Sequence, residues 1–156
     1  MRVRVIAVGT RVPGWVQEGL HEYLRRLEGV LPVLVREVPT AARRADRDVE
    51  RARALEAERV LAQLRPADFV VNLDEHGREL ATRELAAWLS ERMQAGRDLA
   101  FVIGGPDGLG PELRARADFT WSLSQLTLPH ALVRVVLAEQ LYRAHALLRG
   151  HPYHRE

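Results

Sequence analysis

Three short segments carry residue types suited to holding a small ligand. They read LDEHG at 73–77, IGGPDGLG at 103–110 and SLSQLTLPH at 122–130. The middle segment is rich in glycine, which permits positive φ angles and a close approach of the backbone to a ligand. Its spacing is not GxGxxG and no GK(S/T) follows, so the dinucleotide and P-loop motifs are absent. Taken alone, this segment also fits a plain tight turn.

The third segment is unusual because it carries no acid or arginine and is longer than an ordinary strand-to-helix connection. Leucines recur through it between small polar residues, and Pro129 and His130 close it. Backbone N–H and C=O groups would be free to bind a ligand, and leucines would cover its apolar faces. We therefore predict that this segment wraps a small ligand.

Several other chemistries find no support. The chain has no cysteine, which excludes disulfides, thiolate zinc sites and cysteine nucleophiles. No G-x-S-x-G elbow or HExxH motif occurs. His151 and His154 form a pair without an evident third ligand, so we predict no metal site.

The composition is that of an ordinary globular protein, with 47% hydrophobic and 28% charged residues. All 23 basic residues are arginine, which excludes a lysine Schiff base, and the net charge is only +2. The N-terminal apolar run is too short for a signal peptide, and the apolar run of the last predicted helix is interrupted by Arg134. We expect a cytoplasmic protein with no membrane segment, and the length of 156 residues favours one domain over 1–156.

The hydrophobic pattern alternates between strands and helices along the chain. Strands are predicted at 2–8, 32–38, 68–73, 98–103 and 118–124, and a turn at 74–80. Helices are predicted at 13–27, 46–64, 111–117 and 130–149, and a further one carries Leu85, Trp88 and Leu89 and is closed by Gly96. This order indicates an α/β fold around a mostly parallel sheet. The three ligand-suited segments each follow a strand, so they should line one crevice beyond the carboxyl ends of the sheet. The charged run 43–59 is interpreted as a solvated helix face.

The last predicted helix, 130–149, is apolar around most of its circumference, which is typical of a helix buried on more than one side. In a small domain this favours a subunit interface, most simply a two-fold homodimer. Its charged residues Arg134, Glu139 and Arg143 must pair with each other or face the crevice.

Taken together, five segments resemble one family. They are AVGT at 7–10, EYLRRL at 22–27, IGGPDGL at 103–109, WSLSQLTLPHALVRVVLAEQLYRA at 121–144 and HPYHRE at 151–156. The chain is similar over its whole length to the bacterial 23S rRNA (pseudouridine-N3)-methyltransferase H family of SPOUT methyltransferases.

The resemblance implies a Rossmann-like sheet whose C-terminal segment is threaded into a trefoil knot, and S-adenosylmethionine as the cofactor. The implied cofactor site comprises Leu73, Gly104, Gly105, Leu123, Ser124, Gln125, Leu126, Thr127 and Leu128. The implied reaction methylates N3 of a pseudouridine in helix 69 of 23S rRNA within the assembled ribosome.

N3 of pseudouridine carries a proton that must leave before attack, so a base or an anion-stabilising group is needed. The candidates are His130, Arg143, Tyr153, His154 and Arg155. Histidine has an ordinary pKa near neutrality, whereas arginine would stabilise an anion or hold phosphate. On resemblance, we expect the tail 151–156 to complete the partner subunit's crevice.

Two alternatives stay open from the sequence. One is a non-catalytic RNA- or ribosome-binding module, which would have no affinity for the cofactor. The other is a SPOUT enzyme acting on tRNA, although no added RNA-binding domain is evident to support it.

Overall fold

The computed structural model describes residues 1–153 and the backbone of His154. The strands are β1 (Val3–Val8), β2 (Val33–Val38), β3 (Phe69–Glu79), β4 (Leu99–Ile103) and β5 (Phe119–Ser122). The helices are α1 (Gly14–Leu27), α2 (Val49–Leu61), α3 (Thr82–Ala95), α4 (Pro111–Arg116) and α5 (His130–Leu148). Short 3₁₀ turns lie at Asp46–Asp48 and Pro152–His154.

All five strands form one parallel sheet in the order β2-β1-β4-β3-β5. The predicted α/β class and parallel sheet are therefore confirmed. Central strand β4 reads LAFVI and is buried throughout, as expected for a strand covered on both faces. One domain over 1–156 and the trefoil knot stay predictions.

Helices cover both faces of the sheet and enclose two apolar cores. On one face, Leu27 of α1, Leu89 of α3 and Leu141 of α5 pack with Phe101. On the other face, Val60 of α2 and Leu113 of α4 pack against the sheet. No helix in the described part of the chain is long and apolar enough to cross a membrane.

The prediction of a turn at 74–80 is wrong, because most of this segment belongs to strand β3. Strand β3 continues to Glu79, and both Leu73 and Arg78 pair with Trp121 of β5. Residues 74–77 therefore form a bulge that leaves the sheet and returns to the same partner. Gly77 permits this, because an ideal Cβ at that position would lie 2.7 Å from the carbonyl carbon of Thr120.

The charged residues Arg134, Glu139 and Arg143 of α5 are all paired. Arg134 is buried; its Nη1 donates to Glu37 at 2.5 Å and its Nη2 to the Gly9 carbonyl at 2.7 Å. Arg143 pairs with Glu139 one turn earlier, at 2.6 Å. These contacts tie the start of α5 to the carboxyl ends of β1 and β2.

The interpretation of 43–59 as a solvated face is wrong for one acid. Glu56 on α2 is only 2% exposed and pairs with Arg43. The pattern of charges along the helix did not reveal this, because the partner lies in the preceding loop.

Candidate active site

A cavity of about 420 Å³ opens at the carboxyl ends of β4, β3 and β5. Its volume lies within the range of about 300–1,000 Å³ that is usual for small-molecule sites. Residues from all three predicted segments line it, so their convergence at one crevice is confirmed.

Most of the predicted cofactor residues line this cavity. They are Leu73, Gly104, Gly105, Leu123, Ser124, Leu126, Thr127 and Leu128. Gln125 is exposed and does not line it. The assignment of these residues to a cofactor stays a prediction.

The glycine segment after β4 folds back on itself. The Gly108 N–H donates to the Gly105 carbonyl at 3.0 Å, and Gly108 has a positive φ of 72°. An ideal Cβ on Gly104 would lie 2.9 Å from the Gly108 carbonyl carbon. The tight turn therefore requires glycine, and it presents main chain to the cavity.

The segment after β5 is shaped by its own hydroxyl groups. Ser122 Oγ donates to the Ser124 carbonyl at 2.8 Å, and Ser124 Oγ accepts from the Leu126 N–H at 3.0 Å. Thr127 Oγ1 donates to Glu75 at 2.8 Å, which links this segment to the bulge within β3. The two serines therefore stabilise the conformation of this loop. The predicted strand ends at Ser122, two residues earlier than the alternating leucines suggested.

His130 begins α5 and lines the cavity, with its imidazole beside Gly9. Burial lowers the pKa of His130, and the charge of Arg134 lowers this pKa further, whereas Glu56 opposes the change. A histidine whose pKa is lowered is neutral at pH 7 and can accept a proton.

Arg143 and Tyr153 do not line the cavity; they lie toward the other end of α5. Tyr153 Oη donates to Glu139 at 3.1 Å, and its ring meets Tyr142 edge-on at 4.6 Å between ring centroids. The Arg143 guanidinium lies 4.9 Å from the centre of the Tyr153 ring. Burial raises the pKa of Tyr153. The side chain of His154, and all of Arg155, lie outside the described residues.

An acidic rim escaped the sequence interpretation. Asp74 and Glu75 in the bulge both line the cavity, with Arg114 opposite Asp74 at 3.8 Å. His76 Nδ1 lies 3.0 Å from Asp74 Oδ1. The sequence signal for this rim is two acids directly after a predicted buried strand, a pattern that also predicts a turn. In the described chain, no cluster of three or more histidine, aspartate or glutamate side chains is arranged to hold a metal ion.

The chain matches known proteins over almost its full length. Residues 1–154 match a family described as "Predicted SPOUT methyltransferase". The protein named ribosomal RNA large subunit methyltransferase H from Thioalkalivibrio sulfidiphilus is 50% identical over 156 residues, covering 100% of both chains. The protein of that name from Thiobacillus denitrificans is 49% identical, again over 100% of both chains.

Solved structures agree with this fold. A probable methylase family protein from Haemophilus influenzae superposes with a TM-score of 0.56 at 15% identity, covering 99% of this chain and 70% of that one. A putative methylase family protein from Neisseria gonorrhoeae gives a TM-score of 0.53 at 15% identity, covering 90% and 81%. At this identity the likeness concerns the fold alone. The full-length sequence matches show that the chain belongs to the SPOUT methyltransferases and to the same family as these large-subunit methyltransferase H proteins.

Proposed function

We propose that the protein is an S-adenosylmethionine-dependent methyltransferase acting on N3 of a pseudouridine in helix 69 of 23S rRNA, within the assembled ribosome. The observation that carries the proposal is the cavity at the carboxyl edge, formed by three converging loops in a chain of this family. The names of the relatives support a large-subunit rRNA substrate. A ribosomal substrate also makes the cytoplasm the expected location.

The residues present fit S-adenosylmethionine. Main chain at Gly104 and Gly105 can approach a ligand closely, and Leu123 and Leu128 offer apolar cover for an adenine ring. The rim acids Asp74 and Glu75 provide negative charge next to a cofactor that carries a cationic sulfonium and an ammonium group. The indole N–H of cavity-lining Trp121 is buried and has no acceptor among the described residues.

When bound, the sulfonium supplies an electrophilic methyl group, so the reaction needs no metal. The protein must then align the target base and remove the N3 proton. Among the candidates whose side chains are described, His130 is the one at the cavity, and its lowered pKa keeps it neutral at pH 7. We assign proton removal at N3 to His130 Nε2 or Nδ1.

The remaining candidates are proposed to act across a homodimer. Helix α5 has 19 residues and is therefore about 28 Å long. His130 lies at one end of it, and Tyr153 packs near the other. A two-fold axis across the middle of α5 would set two copies antiparallel and bring each tail beside the partner's cavity. Half-buried Leu132 and Val136, one turn apart on α5, are available for this contact.

In this arrangement the tail 151–156 and Arg143 of α5 supply contacts to RNA. Tyr153 offers an aromatic face to a base, and Arg143, His154 and Arg155 offer donors to phosphate or to the N3 anion. Truncation before His151 should therefore preserve folding and cofactor affinity while removing methyl transfer.

The first test separates an enzyme from a binding module. Calorimetric titration with S-adenosylmethionine should show binding, and 70S particles lacking this modification should gain tritiated methyl groups. Absence of cofactor binding would refute the proposal. Methylation of tRNA rather than of ribosomes would show that the substrate is tRNA and refute the ribosomal part of the proposal.

The second test concerns action across the dimer. We would mix a His130→Ala chain with a chain truncated before His151 and let the subunits exchange. Only mixed dimers contain an intact cavity beside an intact partner tail, so activity should return to about a quarter of the parent value, because about half the dimers are mixed and one of their two sites is complete. A mixture as inactive as its components would contradict action across the dimer.

A further inference from the structure

A buried ion pair lies directly behind the glycine segment of the cavity. Glu56 on α2 accepts two bonds from the Arg43 guanidinium, each 2.8 Å long, and one from the Ala41 N–H at 3.0 Å. Arg43 also donates to the Ala41 carbonyl at 2.8 Å. A buried carboxylate is stable only when it is paired and hydrogen-bonded, and these donors satisfy Glu56.

The same pair touches the glycine segment at two points. Arg43 Nε donates to the carboxylate of Asp107, which lines the cavity. Gly105 packs against Glu56 so closely that an ideal Cβ would lie 3.2 Å from Glu56 Oε1 and 2.9 Å from Val8. The segment is therefore held from outside the cavity by groups of α2 and of the loop that precedes it.

We propose that Arg43 and Glu56 are positioning residues that fix the glycine segment 104–108 in the conformation that binds the cofactor. The inference rests on the proposed function, because it assigns the cofactor to this cavity. The guanidinium is planar and donates in a fork of fixed geometry, so it sets the position of Asp107 relative to α2. A segment that is already fixed before binding loses less conformational entropy when the ligand binds, so the ligand binds more tightly.

The experiment compares S-adenosylhomocysteine binding with thermal unfolding in four chains. They are the parent, Arg43→Gln, the double variant Arg43→Gln with Glu56→Gln, and Arg59→Gln. Arg59 is the matched control, because it lies on α2 and donates to the Pro39 carbonyl at 2.9 Å. It therefore tethers the same loop without forming a hydrogen bond to the glycine segment.

Arg43→Gln should lower the melting temperature, because it leaves the Glu56 carboxylate buried without its charged partner. It should also weaken binding about tenfold, which corresponds to about 1.4 kcal/mol. The double variant removes both charges, so the melting temperature should recover. Its affinity should stay low, since Asp107 still lacks its guanidinium partner. Arg59→Gln should bind as the parent does.

Recovery of affinity together with melting temperature in the double variant would show a purely structural role and overturn the inference. An equal loss in Arg59→Gln would do the same, because the effect would then belong to the whole loop. A parent that does not bind would overturn the proposed function first, and this inference with it.

If Arg43→Gln does not fold, Asp107→Asn provides a second route that leaves the Glu56 pair intact. It should weaken binding by a similar factor. Adding Asp107→Asn to the double variant should then cause little further loss, because the contact it removes is already gone. Full additivity of the two losses would contradict positioning through this contact.

Discussion

Gly105→Val offers a direct test of the cavity wall. A glycine in a loop that meets a ligand suggests that valine would fill the space of the ligand, but the geometry gives a different reason for weaker binding. The Cβ would point away from the cavity, into Val8 of β1 and the Glu56 carboxylate. Contact at 2.9 Å must relax to at least 3.4 Å, an ordinary van der Waals distance, so the glycine segment has to move by about 0.5 Å or more.

The cost follows from this forced movement. Overpacking of a well-packed site costs about 1–3 kcal/mol of stability, and the two methyl groups of valine place the effect toward the upper value. Movement of the segment also misplaces its main-chain groups, so S-adenosylmethionine should bind at least about tenfold more weakly, or about 1.4 kcal/mol. Calorimetry gives the affinity and thermal unfolding gives the stability.

Gly96→Ala is the matched control for this variant. Gly96 ends α3 with a φ of 76° and has no heavy atom within 4 Å of an ideal Cβ, so alanine there strains the backbone without touching the cavity. We expect a stability loss of about 1 kcal/mol and unchanged affinity. If Gly105→Val binds as tightly as the parent, the glycine segment does not form the cofactor site.

Three other perturbations have defined outcomes. Burial lowers the pKa of both His130 and His145 below 6.5, so the unfolded chain binds protons more readily and the free energy of unfolding should fall as the pH drops through 6.5. Denaturant unfolding between about pH 7.5 and 5.5 measures this, and His145→Gln should make the free energy of unfolding depend less steeply on pH. Val136→Glu should place a charge in the proposed dimer interface and halve the sedimenting mass, whereas a parent that sediments as a monomer at micromolar concentration would refute the dimer. EDTA should leave cofactor affinity unchanged, and a loss restored by one added metal ion would contradict a metal-free site.

The parts of the site that the sequence predicts are those set by local pattern. Buried strands ending at Leu73 and Ile103 placed the two following loops at one edge, because parallel strands share a direction. Glycine spacing then indicated the close approach of main chain. These arguments need only neighbouring residues and the rule for parallel sheets.

The parts that were missed depend on contacts between distant segments. The bulge at 74–77 exists because Arg78 returns to Trp121, a residue 43 positions later in the chain. Glu56 is paired with Arg43 of the preceding loop, and Arg43 is itself held by Asp107 of a different loop. Sequence periodicity reports which face of a helix is apolar, but it does not report which loop covers a charge.

The order of the strands has a consequence for how the chain folds during synthesis. Strand β1 pairs with β4, so Val3 cannot form its pairing until Leu99 has been synthesised. The core around Phe101 also includes Leu137 and Leu141 of the last helix. Contacts of such long sequence separation make folding slow. Most of this core therefore forms only after α5 has left the ribosome, and the nascent chain exposes apolar strands until then.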